Sequence, residues 1–314
     1  MDREIPDGPE LVILLSHVNC NYKCRFCCQR LHEDKLPPWP LERITDTCSP
    51  LWETAKLVNL GSTGEIGLWP YLDEAIDFFS KKGIKVCFTS NGRYLNAKKL
   101  HSQLVDSIMV SLHTVDEDVY DNLTGTKGNL PRVMQNLLIL GKQPRNYQLS
   151  VSVVLTNLNI GQAPDVARFC KFAGVDLLKL TPLVEPDGAG LVRYDDDLIL
   201  QETEENSALL EEAKQIMGDG VDQCPACRTA MTFEERRSRL VENMPICTAP
   251  YEQTVINYDG NVIPCCFLGG EYSMGNIFET PWKDIWFGDK YMTLRKSHQE
   301  GNNPNCLRLC RNWG

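Results

Sequence analysis

Short aliphatic and β-branched runs alternate with amphipathic stretches over the first 180 residues. Leu11–Ser16, Leu57–Leu60, Ile84–Thr89, Ser107–Leu112, Leu149–Leu155 and Leu177–Leu180 read as strands. Their near-continuous apolarity predicts parallel strands covered on both faces. Between them, Tyr71–Lys82 gathers Leu72, Ala75, Ile76, Phe78 and Phe79 in a helical pattern and stops at Gly83. Pro131–Leu140 and Pro164–Phe172 repeat the pattern, the second ending before Gly174. Six strand–helix units predict an α/β fold built on a parallel sheet, open or curled into a partial (β/α)6 barrel. Chemistry in such sheets gathers at the carboxyl ends of the strands.

The pattern changes near Pro182. Glu185-Pro186-Asp187-Gly188-Ala189-Gly190 reads as a linker, followed by acidic Asp195–Asp197 and helices over Glu202–Met217 and Met231–Val241. Near the carboxyl end, Thr254–Asn257, the turn Tyr258-Asp259-Gly260-Asn261, and Val262-Ile263 predict a hairpin. The predicted division is a core over 1–183, a linker and helical segment over 184–246, and a smaller cysteine-rich domain over 247–314.

Of the 314 residues, 42% are apolar and 24% charged, enough for a sizeable core. A formal net charge of −10 argues against a general nucleic-acid or anionic-membrane binder. Met1–Asp7 lacks the basic flank and apolar stretch of a signal peptide. Leu11–Leu15 falls far short of the ~20 residues that span a bilayer. A cytoplasmic protein is expected. Its 14 cysteines, several in close groups, then point to metal rather than disulfides. Cys48, Cys87 and Cys170 stand alone in apolar surroundings and read as core packing.

Cys20, Cys24 and Cys27 follow the first strand in C-x3-C-x2-C spacing. An iron–sulfur cube normally takes four thiolates, so three leave one iron open to a small molecule. The alternative is a structural zinc knot with His17 as fourth ligand.

This loop resembles that of the radical S-adenosylmethionine (SAM) superfamily, and the resemblance extends over most of the chain. It implies a 4Fe–4S cluster whose open iron chelates the amino and carboxylate groups of SAM. It further implies reductive cleavage of the sulfonium C–S bond to methionine and a 5′-deoxyadenosyl radical, which abstracts a hydrogen atom from substrate. Gly61-Ser62-Thr63-Gly64-Glu65-Ile66 resembles the motif that binds the methionine amino group, with Thr63 and Ile66 replacing a Gly and the Pro. Backbone contacts from Gly64 and Glu65 are implied. Thr89-Ser90-Asn91-Gly92 resembles the family's Thr-Asn-Gly, bringing in Asn91. Ser111-Leu112-His113 is similar to the Ser-x-Asp that reaches the ribose, with His113 in place of the acid. Asn157 and Thr181, ending the fifth and sixth strands, fall where the family packs sugar and adenine.

Cys247, the hairpin, Cys265-Cys266, Trp282-Lys283-Asp284-Ile285-Trp286 and Cys306-x3-Cys310 resemble the SPASM or twitch extension of the same superfamily. Cys247, Cys265, Cys306 and Cys310 would ligate one auxiliary 4Fe–4S cluster, with Cys266 competing for the place of Cys265. A zinc ribbon is the alternative. Absence of further cysteines after Cys310 points to one auxiliary cluster. Cys224-Pro225-Ala226-Cys227 reads as extra ligands, a redox pair or another metal site.

Hydrogen abstraction leads to oxidation if an auxiliary cluster accepts an electron, or to epimerisation if a thiol returns hydrogen. Cys28 and Cys266 are the candidate donors, with Cys224 and Cys227 behind them. The first strand begins by Leu11, so a peptide-recognition domain is not expected ahead of it. A small molecule such as an aminocyclitol or sugar is therefore the expected substrate, with a ribosomally made peptide as the alternative. A non-catalytic iron–sulfur or zinc scaffold is the second alternative. Lys23, Arg25, Arg30 and Lys35 form a local positive region that would steer an acidic flavodoxin or ferredoxin as electron donor.

Overall fold

The computed structural model describes residues 4–27, 36–61, 63–95, 100, 104–183, 194–201, 203–223, 247–266, 268, 272–303 and 306. Cys28, Arg30, Lys35, the 185–190 linker, Cys224, Cys227, the helix expected over 231–241 and Cys310 lie outside them.

The strands of the first half are β1 (Leu11–Leu14), β2 (Leu57–Leu60), β3 (Lys85–Ser90), β4 (Val105–Ser111), β5 (Gln148–Leu155) and β6 (Leu177–Pro182). Helices α1 (Leu72–Lys81), α2 (Glu117–Thr124), α3 (Leu130–Lys142) and α4 (Ala163–Ala173) are interspersed among them. All six strands run parallel in chain order. Helix α5 (Glu204–Met217) then leads to β7 (Val221–Gln223), a seventh parallel strand on β6.

The 8-residue helix α2 has no counterpart in the sequence reading, although its ends are marked. The Asp116 carboxylate accepts from the Val119 amide, and left-handed Gly125 stops it.

Val12, Leu14, Val58, Leu60, Val86, Phe88, Val151, Val153, Leu178 and Leu180 belong to the main hydrophobic core. Burial on both faces is the expectation for most of these strands, and it fails from β2 onward, where Leu57 and Asn59 are half-buried between buried Val58 and Leu60. Ser107, Ser111, Ser152 and Thr181 alternate with those core residues and are half-buried on the opposite face.

The carboxyl-terminal elements are α6 (Ala249–Glu252), β8 (Gln253–Ile256), β9 (Asn261–Ile263), β10 (Gly275–Asn276), α7 (Trp282–Trp286) and α8 (Asp289–Gln299). The expected hairpin is β8–β9, antiparallel, with Val255 opposite Ile263. It is not a separate sheet. Strand β8 pairs in parallel with β1, Leu11 opposite Gln253 through Leu14 opposite Ile256, giving one ten-stranded sheet. No helix among the described residues is long and apolar enough to cross a membrane.

Candidate functional site

The first cysteine loop leaves β1 and lies on the end of α2. The Lys23 amide donates to the Thr124 carbonyl and the Arg25 amide to the Leu123 carbonyl, both at 2.9 Å. Gly125 makes this approach possible, because a Cβ there would stand 2.8 Å from the Lys23 carbonyl oxygen. Its φ of +63° also favours glycine. The Cys27 amide closes a turn onto the Cys24 carbonyl at 3.0 Å, and the Tyr22 amide donates to Cys20 Sγ at 3.4 Å. Beneath the loop, Tyr120 Oη donates to Tyr22 Oη at 3.3 Å.

Burial pushes the Cys24 thiol up to about 12, and the neighbouring Cys20 adds to the shift. Cys20 is raised too, by burial and then by the charge of Glu65. A metal centre draws such thiols into the thiolate form on binding. Among the described residues no three Cys, His, Asp or Glu side chains are grouped to hold a single metal ion.

Glu65 fixes the ends of β2 and β3 to this loop. It is 1% exposed. Its Oε1 accepts from Ser90 Oγ at 2.6 Å and from the Gly67 amide at 2.9 Å; its Oε2 accepts from the Asn91 amide at 2.6 Å. The Glu65 amide donates to the Asn19 carbonyl at 2.9 Å. Burial raises the Glu65 carboxyl, and these donors oppose the shift. Gly64 lies so close to Val18 and Asn19 that a Cβ would meet their backbone at 2.7 Å. Asn91 Nδ2 donates to Asn21 Oδ1 inside the cysteine loop at 2.9 Å. Glu65, Asn91 and the loop thus form one braced unit.

Ser16 Oγ and Thr63 Oγ1 are buried at the ends of β1 and β2 without a partner. Orphaned polar atoms beside three cysteines fit a polar ligand that supplies hydrogen bonds, as the amino-acid end of SAM does.

Phe26 carries the loop onto the ends of β4 and β5. Its ring meets the His113 ring edge-on, centroids 4.6 Å apart, and it packs in one cluster with Val154. His113 is buried; its Nδ1 accepts from the Val154 amide at 3.1 Å, which leaves Nε2 as the N–H donor. Burial pushes this imidazole down to about 4, so it is neutral near pH 7. Thr181 is the cross-strand partner of Val154, and Ser111 that of Ser152. Asn157 sits farther out, where its Oδ1 accepts from the Gln201 amide at 3.0 Å.

Arg25 departs from the expected positive patch. Its guanidinium donates to Asp195 at 3.0 Å, Asp197 at 2.9 Å and Asn122 at 2.7 Å, so acids far along the chain neutralise it.

A second cysteine group lies across β1. Cys306 is buried with Ile13, Val255, Ile263 and Leu268, and Cys265 packs against the same cluster. Cys266 is exposed and Cys247 half-buried before α6. Two residues absent from the sequence reading stand beside Cys306. Asn303 Oδ1 accepts from the Cys306 amide at 3.1 Å, and His298 Nε2 is 3.5 Å from Cys306 Sγ. A lone His eight residues before a cysteine carried no spacing signal; helix α8 brings it there.

A family model described as the radical SAM superfamily matches residues 14–170, half of the chain. A second, the SPASM iron–sulfur cluster-binding domain, matches residues 247–312. The chain is 24% identical over 312 residues to the antilisterial bacteriocin subtilosin biosynthesis protein AlbA of Bacillus subtilis. That match covers 97% of this chain and 65% of AlbA, so the chain spans just under two thirds of that relative. It is 23% identical over 315 residues to the Pyrococcus furiosus tungsten-containing aldehyde ferredoxin oxidoreductase cofactor-modifying protein, covering 91% of this chain and 83% of that one. Among solved structures, Streptococcus suis SuiB bound to SAM superposes with a TM-score of 0.69 at 18% identity, over 93% of this chain and 68% of SuiB.

Proposed function

Since this chain belongs to the radical SAM superfamily and carries a SPASM iron–sulfur domain, we propose that it oxidises a ribosomally made peptide by hydrogen-atom abstraction. The observation that carries the radical chemistry is the pinned Cys20–Cys27 loop, braced to Glu65 and Asn91 beside unpaired buried polar atoms. When bound, the cluster and SAM supply a reductively generated radical that takes hydrogen from substrate.

The chain's own residues hold and orient. Cys20, Cys24 and Cys27 anchor the first cluster. Gly64 and Glu65 present backbone to the methionine end, the Glu65 carboxylate being spent on bracing. Asn91, Ser111, His113, Asn157 and Thr181 flank the nucleoside end, where the neutral His113 donates through Nε2 to a hydroxyl. Cys247, Cys265, Cys306 and Cys310 hold one auxiliary cluster. Cys265 is preferred to Cys266 because it packs with Cys306 while Cys266 is exposed.

We place the peptide, the alternative in the sequence reading, ahead of the expected aminocyclitol or sugar, which a shorter likeness to a 2-deoxy-scyllo-inosamine dehydrogenase of Niallia circulans supports, 33% identical over 84 residues. Support for the peptide is the likeness, across 97% of this chain, to a protein named for the biosynthesis of a bacteriocin. The test is anaerobic reconstitution, dithionite reduction and turnover of peptide and aminocyclitol panels in deuterated water. A peptide product two mass units lighter is the expected result. Deuterium uptake without mass loss would replace oxidation by epimerisation through a thiol such as Cys266. Turnover confined to aminocyclitols would overturn the peptide reading. No 5′-deoxyadenosine, or its undiminished formation by Cys24→Ala, would overturn the radical chemistry.

A further inference from the structure

Helix α8 presents a buried polar face that the proposed reaction does not use. His298 and Arg295, three residues apart on this helix, are 5% and 2% exposed. Arg295 donates Nε to the Pro250 carbonyl at 3.0 Å and Nη1 to the Trp286 carbonyl at 2.7 Å. The rings of Trp286 and Tyr291 enclose it. Its Nη2 has no hydrogen-bond partner, and no carboxylate pairs with Arg295 among the described residues. A buried cation without a counter-charge is costly unless an anion is supplied. Cys306 Sγ is 3.5 Å from His298 Nε2, and Cys265 packs against the same cluster as Cys306.

We propose that His298 donates a hydrogen bond from Nε2 to the Cys306 thiolate and thereby raises the reduction potential of the auxiliary cluster. The inference rests on the reading that Cys306 is one of that cluster's ligands. A thiolate bound to iron carries no proton, so the ring nitrogen must be the donor in the contact. An N–H···S bond draws charge off the sulfur and favours the form with one more electron. The unpaired guanidinium on the same helix face acts in the same direction. A raised potential suits a centre that takes an electron from a substrate radical.

The test uses the full chain, anaerobically reconstituted, in a Cys24→Ala background that leaves the auxiliary cluster alone to be titrated by electron paramagnetic resonance. His298→Phe is expected to keep its iron and move the midpoint to lower potential; His298→Gln, which restores an N–H, is expected to recover part of the shift. An unmoved midpoint with full iron content overturns the inference. If His298→Phe does not load, spectroscopy of the 15N-histidine-labelled His298 protein decides. A weak coupling to one exchangeable proton and a remote nitrogen supports the bond; the strong coupling of a ligating nitrogen, or none, overturns it. Failure of the underlying reading is distinct, because Cys306→Ser in the same Cys24→Ala background would then keep its iron–sulfur cluster.

Discussion

The amide of Asn91 donates to Oε2 of Glu65 at 2.6 Å, joining the end of β3 to a carboxylate that also receives Ser90 and Gly67. Every acceptor lone pair used there faces a fixed donor. Glu65→Gln turns one of those oxygens into an NH2 aimed at an N–H or O–H. The expected cost is about 1–3 kcal/mol, read from the urea midpoint, with weaker SAM binding because Asn91 also braces the cysteine loop.

His113 gives the fold a dependence on acid. Its imidazole ordinarily takes a proton near 6.5, but burial delays this to about 4 in the folded chain. Between those values the unfolded chain binds more protons, so stability present above 6.5 is lost as pH falls toward 4. About 2 kcal/mol should disappear between pH 7.5 and 5 in urea unfolding of the apoprotein. His113→Gln should flatten that slope.

Gly125 is the point of close approach between α2 and the cysteine loop. Gly125→Ala places a Cβ 2.8 Å from the Lys23 carbonyl at a φ of +63°. The expected cost is about 1–2 kcal/mol. Iron counting in a Cys265→Ser background should show loss from the first cluster specifically.

Arg25 should matter little to electron delivery. Its charge is matched by Asp195 and Asp197 at about one quarter exposure. Arg25→Gln is expected to leave the reduction rate by flavodoxin within about two-fold and to cost about 1 kcal/mol or less. A large, salt-dependent slowing would restore it to a docking role.

Cys265 and Cys266 separate cleanly by environment. Cys265→Ser should remove about four irons per chain and Cys266→Ser none, by iron and sulfide analysis. The reverse result would exchange their roles.

Much of the architecture was legible because periodicity and capping are local. Leu72–Lys81 announces itself by its apolar face, and Ala163–Ala173 by Pro164 and Gly174. Glu117–Thr124 escaped because eight residues are barely two turns, too few for a period to emerge between its two caps. The cysteine loop was visible from its spacing together with its place after the first strand. Its supports were not: Arg25 finds Asp195 170 residues away, and His298 meets Cys306 only through a helix and a turn. The union of β1 with β8 was equally hidden, since strand partners depend on which edge is left open rather than on either sequence.

That union has a consequence for biogenesis. Until residues 253–256 have left the ribosome, the strand that feeds the first cysteine loop keeps a bare row of amides and carbonyls along one side. The nascent chain therefore carries an adhesive flank through most of its synthesis, and chaperone occupancy or premature termination before Gln253 should decide how much of it precipitates.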